Sequence, residues 1–397
     1  MKREWQTKKL GDLCDVIGGG TPPKDKPAYY SGDIPWATVR DMRQDVITET
    51  EFRITKDAVK SSATNIIPSG NVVIATRVGL GKVCLLGQDT AINQDLRAIV
   101  PHSDKSLLVR YLYWWLKSVA DVIVAEGTGA TVQGVKLPFV KSLQIPVPPL
   151  AEQQRIVSLL DEAFEGIATA KANAEKNLQN ARALFESHLQ SVFSQHSPGW
   201  DEMQLSALYK IGSSKRVLKS EWKSDGVPFY RGREVTRLAA DGFVDNELFI
   251  SEEHFAALSN EYGVPEAGDI VITAIGTIGN AHVVQSSDRF YFKDASVLWM
   301  KRTADVCSEF IRFWLKSSLF FDQLDRGNGA TVDTLTIQKL QSVELRLPQL
   351  EEQMKIVTKL KALTEETQRL ARIYEQKLAA LEALKKSLLH KAFAGEL

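Results

Sequence analysis

Positions 148–157 read Pro148-Pro149-Leu150-Ala151-Glu152-Gln153-Gln154-Arg155-Ile156-Val157, and two hundred positions later the chain reads Pro348-Gln349-Leu350-Glu351-Glu352-Gln353-Met354-Lys355-Ile356-Val357. After Pro149 no proline occurs until Pro198, and after Pro348 none follows in the sequence. Because proline is tolerated in the first turn of a helix but not in its interior, each copy predicts the start of a long helix. At about 1.5 Å per residue, a helix from Leu150 to Phe193 would be roughly 65 Å long.

Apolar and small side chains recur along both predicted helices in alternating steps of three and four residues. The first seam consists of Ile156, Leu160, Ala163, Ile167, Ala170, Ala174, Ala181, Leu184 and His188. The second consists of Ile356, Leu360, Leu363, Thr367, Leu370, Tyr374, Lys377, Leu381, Leu384 and Leu388. This alternation is the heptad pattern of a coiled coil. A stripe of this length needs a partner helix to cover it, so we expect the two segments to pack on each other.

The segments that precede the two helices also repeat, in the same order. The matched landmarks are Gly32-Asp33-Ile34-Pro35-Trp36 with Asp225-Gly226-Val227-Pro228-Phe229, Trp115-Leu116-Lys117-Ser118 with Trp314-Leu315-Lys316-Ser317, and Gly127-Thr128-Gly129-Ala130-Thr131-Val132 with Gly327-Asn328-Gly329-Ala330-Thr331-Val332. A tandem repeat with one helix per copy predicts a pseudo-two-fold arrangement in which the helices run antiparallel. The predicted fold is mixed α+β, with two repeated α/β domains separated by two long antiparallel coiled-coil helices.

The landmarks divide the chain into four parts. They are a first domain at 1–149, a central helix at 150–196, a second domain at 197–348 and a C-terminal helix at 349–397. Within the first domain, β-type runs alternate with turns, and one helix is predicted from Leu107 to Val119. We expect the aromatic side chains of that helix to lie in the core.

No residue pattern predicts a catalytic, metal or cofactor site. Gly79-Leu80-Gly81-Lys82-Val83 lacks the spacing and the hydroxyl group of a phosphate-binding loop. The histidines and the three cysteines, Cys14, Cys84 and Cys307, lack metal-ligand spacing. An Asn/Asp-Pro-Pro-aromatic loop of the kind that amino-methyltransferases need is missing. We therefore expect a binding protein rather than an enzyme.

The cysteines and the distribution of apolar residues predict the cellular compartment. The cysteines are few and scattered, which suits a reducing environment. The sequence has no apolar run near 18 residues. Both features predict a cytoplasmic protein.

Positive charge is concentrated in equivalent stretches of the two domains, although the formal net charge is zero. The cluster in the second domain contains Lys215, Arg216, Lys219, Arg231, Arg233 and Arg237. The corresponding residues of the first domain are Lys24, Lys26, Arg40 and Arg43, to which the glycine turn adds Arg77 and Lys82. Lysine and arginine on turns suit DNA phosphates, and arginine can also read guanine in the major groove. A solvated charged face is the alternative interpretation.

Three motifs together resemble those of the specificity subunits of type I restriction–modification enzymes. They are residues 145–153 with their copy at 345–353, the segment Ser387-Leu388-Leu389-His390-Lys391-Ala392-Phe393-Ala394-Gly395-Glu396-Leu397, and the glycine turn that begins at Ile74. The resemblance covers essentially the whole chain. It departs from the pattern at Gln349, where the first copy has proline, and in the second domain, which is acidic outside its basic cluster.

The resemblance implies a DNA-binding subunit with no activity of its own. Each domain would be a target recognition domain that reads one half of an asymmetric, bipartite sequence in double-stranded DNA. The helices would set the spacer and dock two methylation subunits, and two restriction–translocation subunits would join for cleavage. S-adenosylmethionine, ATP and Mg²⁺ would then belong to these partner subunits.

Two alternatives stay open at this point. One is a coiled-coil scaffold that binds only protein, which a test of DNA binding by the purified chain would distinguish. The other is a fused methyltransferase–nuclease, against which the missing Asn-Pro-Pro-aromatic loop argues.

Overall fold

The computed structural model describes residues 5–128, 134–194, 199–324 and 334–397. It divides into two compact units: unit 1 comprises Met1–Glu175 with Glu375–Leu397, and unit 2 comprises Lys176–Tyr374. Each unit thus holds one globular domain and part of both long helices, whereas the sequence analysis set the helices apart as separate segments. The repeated glycine motifs at 127–132 and 327–332 lie outside the described residues, except for Gly127 and Thr128.

The globular part of unit 1 is built from three small sheets. Its strands are β1 (Gln6–Lys9), β2 (Cys14–Gly18), β3 (Ile34–Ala37), β4 (Val46–Ile47), β5 (Phe52–Ile54), β6 (Asn65–Ile67), β7 (Val72–Ala75), β8 (Val83–Leu86), β9 (Thr90–Ile92), β10 (Leu96–Pro101) and β11 (Gln144–Val147). The sheets have the strand orders β2-β10-β7-β8-β4, β5-β3-β9-β6 and β1-β11. The pairs β3–β9 and β4–β8 are parallel, and the other pairs are antiparallel.

The helices of unit 1 pack on these sheets. They are α1 (Leu10–Leu13), α2 (Lys56–Lys60), α3 (Val109–Ser118), α4 (Ala120–Ala125), α5 (Leu137–Ser142) and the first part of α6 (Leu150–Ser194). The helix predicted at 107–119 is α3, and all of its residues from Tyr111 to Leu116 are buried. The prediction that its aromatic side chains form core is therefore confirmed.

Unit 2 repeats this plan with fewer strands. They are β12 (Asp201–Gln204), β13 (Tyr209–Gly212), β14 (Val227–Tyr230), β15 (Phe249–Ile250), β16 (Ile270–Thr273), β17 (Ala281–Val283), β18 (Tyr291–Phe292), β19 (Val297–Arg302) and β20 (Glu344–Leu347). The strand orders are β13-β19-β16-β17, β15-β14-β18 and β12-β20. The helices are α7 (Leu205–Leu208), α8 (Gly232–Asp241), α9 (Glu252–Tyr262), α10 (Ser308–Trp314), α11 (Ser318–Leu324), α12 (Ile337–Gln341) and part of α13 (Leu350–Ala394).

The helices α6 and α13 begin two hundred positions apart and have 45 residues each. Each begins directly after its proline-containing segment: the N–H of Glu152 donates to the carbonyl of Pro149, and that of Glu352 donates to Gln349. The helix α13 ends at Gly395, whose φ of 70° is the left-handed conformation that commonly terminates a helix. The prediction of two long helices from the duplicated proline stops is confirmed.

The two long helices pack antiparallel within each unit. In unit 1, the ammonium group of Lys171 on α6 lies 2.8 Å from the carboxylate of Glu382 on α13. Near the start of α6, the guanidinium group of Arg155 donates a hydrogen bond of 2.8 Å to the carbonyl of Leu397, which follows the end of α13. In unit 2, Ala181 and Phe185 line one cavity together with Thr367 and Ala371. The predicted seam residues that are buried are Ile156, Leu160, Ile167, Ala174, Ala181, Leu360 and Thr367.

Four predicted seam residues lie outside the buried stripe: His188, Lys377, Leu184 and Leu384. The exposed fractions of Leu184 and Leu384 are 50% and 46%. The inward positions are taken by the next residues, Phe185 and Lys385, which are half-buried, as are Ile356, Leu363, Leu370, Leu381 and Leu388. The reason is that seven residues make slightly less than two full turns of a straight α-helix. Positions seven residues apart are therefore rotated by about 20° around the helix axis with each heptad. Four heptads separate each exposed leucine from the start of its seam, so the accumulated rotation approaches the 100° between neighbouring residues.

Candidate nucleic-acid interface

In unit 1, the turns that follow strands β2, β3, β7 and β9 meet at one surface, which we call the four-turn surface of unit 1. They span residues 19–24, 38–43, 76–82 and 93–95. Backbone hydrogen bonds connect them. The N–H of Gly20 donates to Ile92 at 3.0 Å, that of Asn93 to Ala37 at 3.0 Å, and that of Thr76 to Asp95 at 2.9 Å. These hydrogen bonds hold the four turns in fixed positions relative to one another.

Unit 2 builds the same surface from the equivalent strand ends. The turns follow β13, β14, β16 and β18 and span residues 213–219, 231–237, 274–280 and 293–296, the second of which begins α8. The N–H of Lys293 donates to Tyr230 at 2.7 Å, and that of Ala274 donates to Ser296 at 2.9 Å. A hydrogen bond of 3.2 Å from the Ala295 N–H to the Ser213 hydroxyl joins the first and fourth turns.

The cations predicted in unit 1 all lie on this surface or beside it. Arg40 is 73% exposed and pairs loosely with Glu51 at 3.5 Å. Arg77 is 3.7 Å from Asp95, and Lys82 donates to the carbonyl of Val39 at 3.5 Å. These contacts bring the second, third and fourth turns together. The remaining three, Lys24, Lys26 and Arg43, are exposed.

The cations of unit 2 fall into two groups. Lys215, Arg216, Lys219 and Arg237 are exposed, although Arg216 makes a 2.8 Å ion pair with Asp294. In contrast, Arg231 and Arg233 converge on one carboxylate at the start of α8, that of Glu234, at 2.8 and 3.0 Å.

The carboxylate of Glu234 is 1% exposed and organises the start of α8. Its oxygens accept hydrogen bonds from the backbone N–H of Arg231 at 2.9 Å and from both guanidinium groups. Burial alone would raise the pKa of Glu234, but these hydrogen bonds outweigh it and hold the pKa at about 2. Both guanidinium groups are therefore held in fixed orientations beside Glu234, and Arg233 is held further by the carboxylate of Glu247 at 2.7 Å.

An aromatic cavity on the four-turn surface of unit 1 was not predicted from the sequence. It has a volume of about 520 Å³, and its lining includes Tyr30, Trp36, Phe52, Lys24, Arg40 and Gln94. These residues are spread over 70 positions of the sequence, so no local pattern could have identified the group. The one available signal was Asn93-Gln94-Asp95, a short polar turn between two apolar strands.

Within the described residues, no group of three histidine, cysteine, aspartate or glutamate side chains could hold a metal ion. None of the helices in that same part of the chain is long and apolar enough to span a membrane.

Comparison with known proteins gives matches along almost the whole chain. Residues 2–179 and 198–380 each match the family model described as type I restriction modification DNA specificity domain. The specificity subunit of the type I restriction enzyme EcoR124I/EcoR124II from Escherichia coli is 37% identical over 166 residues, and the match spans 40% of each chain. A putative specificity subunit from Haemophilus influenzae, S.HindORF215P, is 24% identical over 89% of this chain and 86% of its own.

Solved structures show the same fold. This chain superposes with a TM-score of 0.78 on a chain of a solved structure that concerns complex assembly and conformational transition of the type I R-M system. It is 19% identical, and the match covers 99% of this chain and 98% of the other.

Proposed function

Because the chain belongs to the family of type I restriction modification DNA specificity domains, we propose that it is the DNA-reading subunit of a type I restriction–modification complex. Unit 1 reads one half of a bipartite DNA sequence, and unit 2 reads the other half. The two helices set the spacer and dock the methylation subunits. The subunit thereby directs both methylation and cleavage of the DNA.

The observation that carries the proposal is the duplicated four-turn surface. The backbone of this surface is built in the same way in both units, from the ends of equivalent strands. Its side chains differ: the second turn of unit 1 begins with Thr38 and Val39, whereas the equivalent turn of unit 2 begins with Arg231 and Gly232. A shared backbone with different side chains is what two readers of different sequences require. We therefore expect the target to be asymmetric.

The chemistry of the two surfaces supports DNA as the ligand. Exposed lysines such as Lys24 and Lys219 provide mobile positive charges that suit phosphates, without sequence preference. The oriented guanidinium groups of Arg231 and Arg233 suit the O6 and N7 atoms of guanine. The side-chain positions thus separate into phosphate contacts and base contacts. Which cation contacts which group stays a prediction.

The catalytic steps belong to partner subunits in this proposal. Two methylation subunits supply methyl transfer with S-adenosylmethionine, and two restriction subunits supply cleavage with ATP and Mg²⁺. This chain contributes orientation on DNA and no reacting group, and the complex works in the cytoplasm. Neither a scaffold that binds only protein nor a fused methyltransferase–nuclease receives support from the family match.

A domain exchange tests the proposal. Residues 1–146 are replaced by the equivalent domain of a relative, and the methylated sequences are mapped genome-wide in a host that also produces the methylation subunit. One half of the target should change while the other half and the spacer stay the same. The reciprocal exchange of residues 197–347 is the control and should change the other half. An exchange that altered both halves at once would contradict independent reading by the two units.

A further inference from the structure

The aromatic cavity of unit 1 has the composition of a site for a flat ligand. The rings of Tyr30 and Trp36 lie 5.9 Å apart, and those of Trp36 and Phe52 lie 6.3 Å apart, each pair edge to face. Trp36 is fixed, because its indole N–H donates to the carbonyl of Gly20 at 3.1 Å. Phe52 is 39% exposed, which is unusual for phenylalanine beside a core residue. The volume of about 520 Å³ is within the range of about 300–1,000 Å³ that small-ligand pockets have.

The polar residues of the cavity supply hydrogen bonds and charge of both signs, since the lining also contains the carboxylate of Asp95, which lies 3.7 Å from Arg77. Gln94 lies in the fourth turn and accepts a hydrogen bond from the hydroxyl of Thr21, which orients its amide group. Lys24 and Arg40 also belong to the lining, and both side chains are exposed. An amide group matches the hydrogen-bonding edge of a base, and two cations match the flanking phosphates. The cavity thus combines an aromatic wall, an amide and phosphate-binding charge.

Unit 2 carries different side chains on the equivalent strand. The strand β14 carries Phe229 where β3 carries Trp36, and this ring is fully buried. Val217, Trp222 and Tyr291 pack around it. In the fourth turn, Asp294 holds Arg216 at 2.8 Å. The side chains at this strand position and in the fourth turn therefore differ between the two units.

We propose that the aromatic cavity of unit 1 receives one nucleobase of its half-site, turned out of the DNA stack. The proposal rests on the function proposed above. A concave cavity cannot contact the edges of bases that remain stacked in a duplex, whereas a base turned outward enters it and stacks on aromatic rings. Gln94 then contacts the hydrogen-bonding edge of the base, and Lys24 and Arg40 hold the backbone beside it. Unit 2 reads its half-site without such a base.

A mismatch scan on the complete complex tests this inference. The probe is a duplex that carries the target mapped by methylation sequencing, and the complex contains the chain with its methylation subunit. In each duplex, one base of the first half-site is mismatched by changing only the opposite strand. At one pair other than the one that carries the methylated base, which the methylation subunit itself must turn out, binding should tighten by about tenfold, because a mispaired base costs less to unstack. At pairs that are read in the groove, binding should weaken.

The variant Phe52→Ala removes an exposed ring, so the fold should persist. Stacking on an aromatic side chain contributes about 1–3 kcal/mol per base, so affinity should fall about 5- to 150-fold, and the tightening by the mismatch should disappear. Phe52→Tyr keeps an aromatic ring, so it should retain both the wild-type affinity and the tightening by the mismatch. The control is Phe243→Ala in unit 2, where the ring is 71% exposed. This control should leave the scan of the first half-site unchanged.

Two results would overturn the inference. The first is a scan in which every mismatch weakens binding or has no effect. The second is a Phe52→Ala complex with wild-type affinity and an unchanged scan. Failure of the proposed function has a different signature, because the wild-type complex would then bind the mapped duplex and a scrambled duplex equally well. That result would overturn both proposals, whereas the first two leave discrimination of the mapped target intact.

Discussion

The side-chain oxygen of Gln153 accepts a hydrogen bond from the backbone N–H of Leu108 at 2.9 Å. Its amide nitrogen donates to the carbonyls of Pro148 at 2.9 Å and Ser106 at 3.0 Å. Gln153 is completely buried and lies in the first turn of α6, while Leu108 immediately precedes α3. One amide group therefore fastens the start of the long helix to the globular domain of unit 1.

Unit 2 contains the same connection. Gln353 accepts from the backbone N–H of Cys307 at 2.9 Å and donates to the carbonyl of Pro348 at 2.7 Å. Cys307 immediately precedes α10, as Leu108 precedes α3. The glutamine shared by the two copies of the motif is thus explained by its position, since its uncharged amide group offers both a donor and an acceptor at that reach.

We expect Gln153→Leu to destabilise unit 1. The substitution keeps the volume but leaves the Leu108 N–H and two carbonyl groups without their side-chain partner; of the three residues Pro148 is buried, Leu108 is half-buried and Ser106 is exposed. A buried group left unpaired costs about 1–3 kcal/mol, and an exposed one costs less because water replaces the partner. The free energy of unfolding, measured by urea denaturation, should fall by about 3 kcal/mol. Gln154→Leu, at the exposed neighbouring position, is the control and should change it by less than about 0.5 kcal/mol. Equal stability of the two variants would contradict the role of Gln153.

The ion pairs of Glu234 predict that the free energy of unfolding depends on pH. The pKa of its carboxylate is lowered from 4.5 to about 2 in the folded chain. A lowered folded-state pKa means that the stabilisation is complete above about pH 4.5 and is lost as the pH falls through about 2. Glu234→Gln should therefore reduce the free energy of unfolding by about 2–3 kcal/mol at pH 7 and by much less near pH 2.

Urea denaturation of the wild type and Glu234→Gln at several pH values measures this difference directly. The control is Glu247→Gln, which removes the exposed second partner of Arg233. Glu247→Gln should change the free energy of unfolding only slightly at every pH. A constant difference between the wild type and Glu234→Gln from pH 7 to pH 3 would show that the carboxylate charge does not provide the stabilisation.

Local sequence patterns were enough to predict the helices and the repeat. The proline stops before Leu150 and Leu350 and the aromatic face around Trp115 act through neighbours in the sequence, so their consequences can be read without a structure. The inward position of Phe185 could not be predicted in this way. It depends on the small difference between the heptad and the helix period, which accumulates to almost one residue over four heptads.

The binding surface was predicted only in part. The basic clusters identified the first three turns of unit 1 and the first two turns of unit 2, since lysine and arginine are visible in the sequence. The partners of Arg231 and Arg233 and the cavity around Trp36 were not visible. They depend on which distant strands end at the same edge, and that is fixed by sheet order rather than by spacing along the chain.

Lys219 should act as a phosphate contact. It is exposed on the first turn of the unit 2 surface. If it neutralises one phosphate, Lys219→Ala should weaken binding equally for matched and mismatched sequences. The slope of log affinity against log salt concentration should flatten by about 0.9. The matched control is Lys339→Ala on α12, where the lysine is also exposed. Identical salt slopes for the two variants would indicate a solvated face around Lys219.

The long helices should act as a ruler for the DNA spacer. Seven residues inserted after Ala174 on α6, with seven more inserted after Lys377 on α13, keep the buried stripes within about 20° of their present alignment. Each helix lengthens by about 10 Å at about 1.5 Å per residue. At about 3.4 Å per base pair, this corresponds to roughly three base pairs of additional spacer. Methylation is then measured on targets whose spacers run from the native length to about four base pairs longer.

Loss of methylation on the native spacer is the direct expectation, because a packed pair of helices cannot shorten. Recovery on the longer spacer should be incomplete. Three base pairs also rotate the second half-site by about 100° around the duplex, and the DNA must twist to present it to unit 2. Inserting seven residues into α6 alone is the control, since it breaks the pairing of the stripes and should abolish methylation on every spacer. An insertion variant that keeps its rate on the native spacer would show that the helices do not measure the gap.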